Sequence, residues 1–293
     1  MIDGVGGARL ELLLAFADDE LIIGHRHSEW TGWVPHLEED LAFSSIAQDE
    51  MAHARLLYGL ALPMLGEGWT EDRAALGREP GEYRNAVLCE RPNHDWGYSL
   101  ARQFLYDTAD DVRTSSLTGS SWRELADIMT LVRMEEAYHL EHAREWFGRL
   151  AGGPVAAREH LAAGLEAALP DAIGVFEPLS SEDAVLGDGT LPRASEEMLA
   201  AWLARVGEEL ERVSLDYVLE RHTPVGDLVP TSSGAIEGDE VLGVPGIVRR
   251  DGRWEHQGGF SGAGGRHGRH SEDFTSLWKD LTGLYRAHPG ATW

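Results

Sequence analysis

The chain has a single cysteine, Cys89, in 293 residues. One thiol excludes an intrachain disulfide framework and suits a reducing compartment, the cytoplasm. Basic residues are also few: 25 Lys and Arg stand against 50 Asp and Glu, a formal net charge of −25. That balance opposes nonspecific binding to nucleic acid or to an anionic membrane. A basic protein partner fits it better, although solubility alone would explain it. No uninterrupted apolar run is long enough to span a bilayer. The N-terminus lacks the basic region, apolar core and cleavage site of a secretory signal. The glycines match neither a Walker loop nor a strand-linked dinucleotide fingerprint.

What the chain does have is helical periodicity. Apolar residues recur at spacings of three and four over about 7–32, 35–62, 96–118 and 121–150. These predict an all-α, ferritin-like four-helix bundle. The short link around Gly32 makes the first two helices antiparallel neighbours. A long crossover, 66–95, with a short helix near 82–89, leads to the second pair. Ser121 is the expected N-cap of the fourth helix, with Glu124 as its reciprocal partner. Further helices are expected over 156–169, stopped by Pro170, over 194–222 and over 271–287, with linker between 171 and 193. The whole chain, 1–293, then reads as one domain. Its core bundle covers about 7–150, and a C-terminal helical extension covers 151–293. Within that extension, 223–270 is rich in glycine and weak in periodicity, which predicts a mobile loop or extended wrap. His256, His267 and His270 there are read as compositional coincidence before a metal site.

Polar residues interrupt four apolar stripes. The first carries Leu13, Phe16, Glu20, Ile23 and His27. The second carries Glu50 and His53 beside Phe43, Ile46, Ala47, Leu57 and Leu60. On the third, Asp107 lies near Leu100, Gln103 and Phe104. The fourth runs Leu125, Met129, Val132, Glu136, His139, Ala143 and Trp146. A buried bare charge costs several kcal/mol, so these groups need partners. Two Glu-x-x-His helices and a carboxylate from each of two others form the ligand pattern of a dimetal bundle. Glu20 lies 30 residues before Glu50, and Asp107 lies 29 before Glu136. Each interval is one antiparallel helix passage, which sets all four at one depth.

Four carboxylates and two imidazoles suit two iron ions, with manganese second. Glu50 and Glu136 would bridge, His53 and His139 would bind one ion each, and Glu20 and Asp107 would be terminal. The competing reading is a metal-free carboxylate–imidazole network. Glu135 and His142, seven apart, are expected in exposed salt bridges. His25, His27 and His36 are read as surface or packed histidines. Trp30, Trp33 and Trp96 are read as helix-end packing before an interface.

Several segments carry a family resemblance. Asp18-Asp19-Glu20-Leu21-Ile22-Ile23-Gly24-His25-Arg26-His27-Ser28-Glu29-Trp30 resembles the start of PaaC subunits in the PaaA/PaaC family of phenylacetyl-CoA epoxidases. So do Pro35-His36-Leu37-Glu38-Glu39-Asp40-Leu41-Ala42 and Glu90-Arg91-Pro92-Asn93-His94-Asp95. Ala101-Arg102-Gln103-Phe104-Leu105-Tyr106-Asp107, Glu135-Glu136-Ala137-Tyr138-His139-Leu140 and the short helix leading to Trp293 agree. The resemblance covers nearly the whole chain and is weakest over 223–270.

It implies a ferritin-like partner subunit, structural in role, of a complex that epoxidises phenylacetyl-CoA in phenylacetic acid catabolism. The complex uses dioxygen and electrons from a reductase subunit. The implied partners are a PaaA-like catalytic subunit and the other subunits of the complex. The chain departs from the usual PaaC pattern at Glu20, Glu50 and His53, where PaaC subunits commonly lack ligands and PaaA keeps them. Two alternatives follow: a catalytic diiron monooxygenase component acting on an aromatic CoA thioester, and a ferritin-like metal-binding protein. For a catalytic component, Met51, Phe104 and Tyr138 are candidate pocket-lining residues. No CoA phosphate site is legible.

Overall fold

The computed structural model describes residues 4–34, 36–219, 247–256 and 262–291. Helix α1 (Gly4–Ser28) and α2 (Leu37–Leu65) form an antiparallel hairpin. The crossover holds α3 (Glu71–Leu76) and α4 (Val87–Glu90). Then α5 (Trp96–Leu117) and α6 (Arg123–Ala151) form the second long pair. Helices α7 (Val155–Ala172), α8 (Glu182–Gly187) and α9 (Ser195–Arg212) follow. A two-stranded ribbon, β1 (Ile247–Arg250) and β2 (Arg253–His256), precedes the last helix, α10 (Glu272–Ala287). No helix among the described residues is long and apolar enough to cross a membrane. The all-α bundle with additional C-terminal helices is as the periodicity predicts, the small ribbon apart.

Local chemistry sets several boundaries. The carboxylate of Asp95 accepts from the Tyr98 amide at 2.8 Å and starts α5. Thr70 does the same for α3, accepting from the Arg73 amide at 3.1 Å. Ser121 does not cap α6. Its hydroxyl donates to the Asp188 carbonyl at 2.8 Å, and the N-cap position falls on Trp122. A tertiary contact to the turn after α8 outbids the local cap. Pro170 does not stop α7 either, which runs on to Ala172 and into a 3-10 turn over Ile173–Phe176. The sixth expected helix is shorter than its apolar stripe, because Ser214 takes a φ of 58° after Arg212.

The glycine-rich region divides. Residues 220–246 and 257–261, with Gly258 and Gly259, lie outside the described residues, as does Trp293. The described remainder is ordered structure, not a loose loop. Trp254 of β2 seats on α9 at Gly207, where a Cβ would come within 2.2 Å of the indole. Gly265 passes so close to the α4 approach that a Cβ would lie 2.1 Å from the Asn85 carbonyl oxygen. Glycine here permits close approach, which sequence alone reads as looseness. His270 Nδ1 lies 2.5 Å from Glu90, and His267 Nδ1 lies 3.1 Å from the Ser180 hydroxyl. These two histidines anchor the C-terminal segment and do not converge.

Candidate metal centre

Glu20 on α1, Glu50 and His53 on α2, Asp107 on α5, and Glu136 and His139 on α6 are all buried. Gly24 explains how α1 reaches α2 at this level: any Cβ there would lie 2.9 Å from the Glu50 Cβ. Ligand atoms of Glu20, Glu50, His53 and Glu136 all lie within 4.8 Å of one another. His53 Nδ1 stands 3.1 Å from Glu136, 3.5 Å from Glu20 and 3.8 Å from Glu50. His139 Nδ1 stands 3.2 Å from Glu136 and 3.5 Å from the other oxygen of Glu50. Glu50 and Glu136 thus lie between the two imidazoles, whose ring centres are 6.2 Å apart. Asp107 is buried on α5 and feels the charges of Glu136, His139 and Glu50, but it does not belong to the four residues whose ligand atoms converge.

The inner atoms are short of hydrogen bonds. Neither carboxylate oxygen of Glu50, Glu136 or Asp107 has a hydrogen-bond partner, nor does either inward Nδ1. Glu20 has one partner, the Tyr106 hydroxyl, which donates at 3.0 Å. Buried polar groups are paired in the great majority of cases, so this many orphans in one place makes the cluster a candidate ion site. The electrostatics agree. Burial, reinforced by Glu136, pushes the Asp107 carboxyl well above its usual range. Burial and the adjoining Glu50 do the same to Glu20. Burial opposes charge on His139, but the facing Glu136 and Glu50 outweigh it and raise its pKa to about 12. His53 is raised likewise, by Glu136, Glu20 and Glu50 acting against its burial. Without a cation, protons must balance the four acids. The donor set of four carboxylates and two imidazoles fits a pair of iron or manganese ions.

Two functional-looking residues escape the sequence reading. The outward Nε2 of His53 pairs with Glu135 at 2.7 Å, and that of His139 with Asp49 at 3.3 Å. Each carboxylate fixes the ring whose other nitrogen points inward, the usual outer support of a metal-binding histidine. The signal was present in sequence: Asp49 and Glu135 immediately precede the two central glutamates. Glu135 therefore does not form an exposed bridge near His142. His142 instead pairs with Glu39 at 2.8 Å. Asp110, one turn beyond Asp107, was also missed. Burial raises its pKa to about 7, although Arg113 holds it at 2.8 Å.

The remaining assignments divide. His27 is wholly buried, with neither nitrogen bonded. His36 is exposed and stacks on Trp146, and His25 is half-buried. Trp30 and Trp96 pack edge to face with ring centres 5.2 Å apart, while Trp33 is exposed. Of the candidate pocket residues, Phe104 is buried against Phe147 and Met51 is half-buried. Tyr138 is 73% exposed and does not line an interior pocket.

Fold and site together define a ferritin-like helical bundle with a buried carboxylate–histidine cluster. Residues 1–221 match the family described as phenylacetic acid catabolic protein, PaaA/PaaC. The chain belongs to that family. It is similar to the C subunit of the 1,2-phenylacetyl-CoA epoxidase of Escherichia coli strain K12. The two are 30% identical over 214 residues, covering 71% of this chain and 83% of the relative.

Proposed function

We propose that the chain is the structural partner subunit of a multicomponent phenylacetyl-CoA epoxidase, and that it retains a dimetal centre. The likeness to an epoxidase C subunit supports the first part. The convergence of Glu20, Glu50, His53 and Glu136, with His139 against Glu50 and Glu136 and with unpaired inner atoms, supports the second. Glu20 and His53 would hold one ion, and Asp107 and His139 the other, with Glu50 and Glu136 between them. Two ferrous ions there would supply electrons for dioxygen chemistry. The chain's own residues do the rest: Asp49 and Glu135 orient the imidazoles, Tyr106 holds Glu20, and the apolar stripes exclude water. The described segments are read as parts of one domain spanning 1–293. Its compartment is the cytoplasm, and its partners are a PaaA-like catalytic subunit and a reductase.

The test is co-expression with the cognate PaaA-like subunit under iron-replete conditions, followed by metal analysis. A stable complex is expected, and this chain purified by itself under the same conditions should carry about two irons per copy. Failure to form a complex overturns the partner role, and iron-free protein overturns the centre. The complete ligand set favours a second reading, a catalytic diiron monooxygenase component acting on an aromatic CoA thioester. Reductant-dependent oxygen uptake by this chain alone, with such a thioester, would decide for it.

A further inference from the structure

The centre is sealed on most sides. Helices α7 and α9 pack on α5, and α8 packs on α1. The α2–α6 pairing differs: Gln48 and Ala52, next in sequence to Asp49 and His53, and Met134 and Tyr138, next to Glu135 and His139, are exposed. Here the cluster comes within one side chain of solvent. The His53 side chain is 1% exposed, yet its partner Glu135 is 52% exposed. The His139 side chain is 3% exposed, and its partner Asp49 is 40% exposed. Glu39, paired with His142, extends the acidic line between the same two helices. Arg133, two residues before Glu135, is turned to Asp111 at 3.6 Å, so the line's carboxylates are paired with imidazoles.

We propose that Asp49 and Glu135 form the port through which divalent metal ions enter and leave the centre. This rests on the metal-centre reading. A hydrated dication sheds water stepwise, and each lost water needs a replacing oxygen or nitrogen. Exposed carboxylates offer the first replacements. Each is already joined to an imidazole whose inward nitrogen belongs to the cluster. Breaking the Glu135–His53 or Asp49–His139 hydrogen bond frees a carboxylate to meet the ion and a ring to turn with it. The orphan oxygens of Glu50 and Glu136 behind the rings are the destination. The step is ligand exchange with no change in oxidation state, and the protons held by the empty cluster leave to water as the ions enter.

The experiment uses the full chain, stripped of metal, with Co2+ as the probe. Uptake is followed by visible absorbance in a stopped-flow instrument, and loss by competition with a chelator. Variants Glu135→Gln and Asp49→Asn keep an acceptor for the imidazole N–H and remove only the charge. The double variant is expected to slow uptake and loss together, each about tenfold, with the ion stoichiometry unchanged. A residue on the path lowers the barrier in both directions, so the two rates fall in step. Glu141→Gln, exposed elsewhere on α6, controls for net charge and should leave both rates alone. Unchanged uptake, or weakened affinity with unchanged uptake, overturns the port and leaves the pair as supports for the imidazoles. Wild-type protein that takes up no metal overturns the centre itself, and the port with it.

Discussion

Two buried acidic clusters begin at neighbouring residues of α1. Asp18 and Asp19 are fully satisfied. Asp18 accepts from Tyr58 at 2.6 Å, from the Arg84 amide at 2.7 Å and from both terminal nitrogens of Arg78. Asp19 accepts from Arg113 at 2.5 Å, from Arg266 at 2.7 and 2.9 Å, and from the Ala86 amide at 2.7 Å. Arg266 also donates to the carbonyls of Ala15, Arg84 and Val175, pinning the C-terminal segment to the bundle. Although burial opposes charge there, Arg266 and Arg113 hold the Asp19 carboxyl below its usual range. The next residue, Glu20, opens onto acids and imidazoles, and Arg113 reaches it only through the Tyr106 hydroxyl. The same chemical group serves architecture in one place and remains uncommitted in the other. Cations are built into the first cluster by the chain. In the second, the chain supplies carboxylates and imidazoles.

The largest expected effect breaks the built-in cluster. Arg113→Ala leaves Asp19 and Asp110 short of a buried cation and should cost about 3–5 kcal/mol in urea unfolding. A loss below about 1 kcal/mol would show that water or the remaining arginines compensate fully. The second prediction concerns the uncommitted cluster. Ferrous ion at a hundred times its dissociation constant should stabilise the wild type by about 2.7 kcal/mol under anaerobic conditions. Glu136→Gln should abolish that gain, as read by thermal unfolding with and without metal. An equal gain in the variant would place the ion elsewhere.

The third prediction concerns His27, which shares the Glu20 stripe. Burial, with Arg102 nearby, lowers its pKa from 6.5 to about 3. The folded state therefore keeps the ring neutral, while the unfolded chain binds a proton below pH 6.5. Its contribution is complete above that pH and is lost as pH falls toward 3. The slope is at most about 1.4 kcal/mol per pH unit. Chemical denaturation of wild type and His27→Phe across that window should show a shallower pH dependence in the variant. Equal slopes would mean that the ring is solvated in the folded state.

The long helices and the ligand stripes were legible because both depend on spacing within one helix. Glu50 and His53, or Glu136 and His139, share a face at any helix of normal pitch. Pro170 and Ser121 misled because a residue's local preference was outweighed by packing and by a tertiary hydrogen bond. The glycines near 264 misled in the opposite direction: they mark a tight crossing, and composition cannot tell a crossing from a loose loop.

By itself, the sequence determined the all-α class, the long helices and the burial of Glu20, Glu50, His53, Asp107, Glu136 and His139, since periodicity decides which side chains share a face. Only tertiary structure decided which buried acids received arginines. Arg78, Arg113 and Arg266 come from distant parts of the chain, and no local spacing brings them to Asp18 and Asp19. It also decided that Asp49 and Glu135 join the outward nitrogens of His139 and His53. Each of those contacts crosses from one helix to another, and only the packing of α2 against α6 creates it.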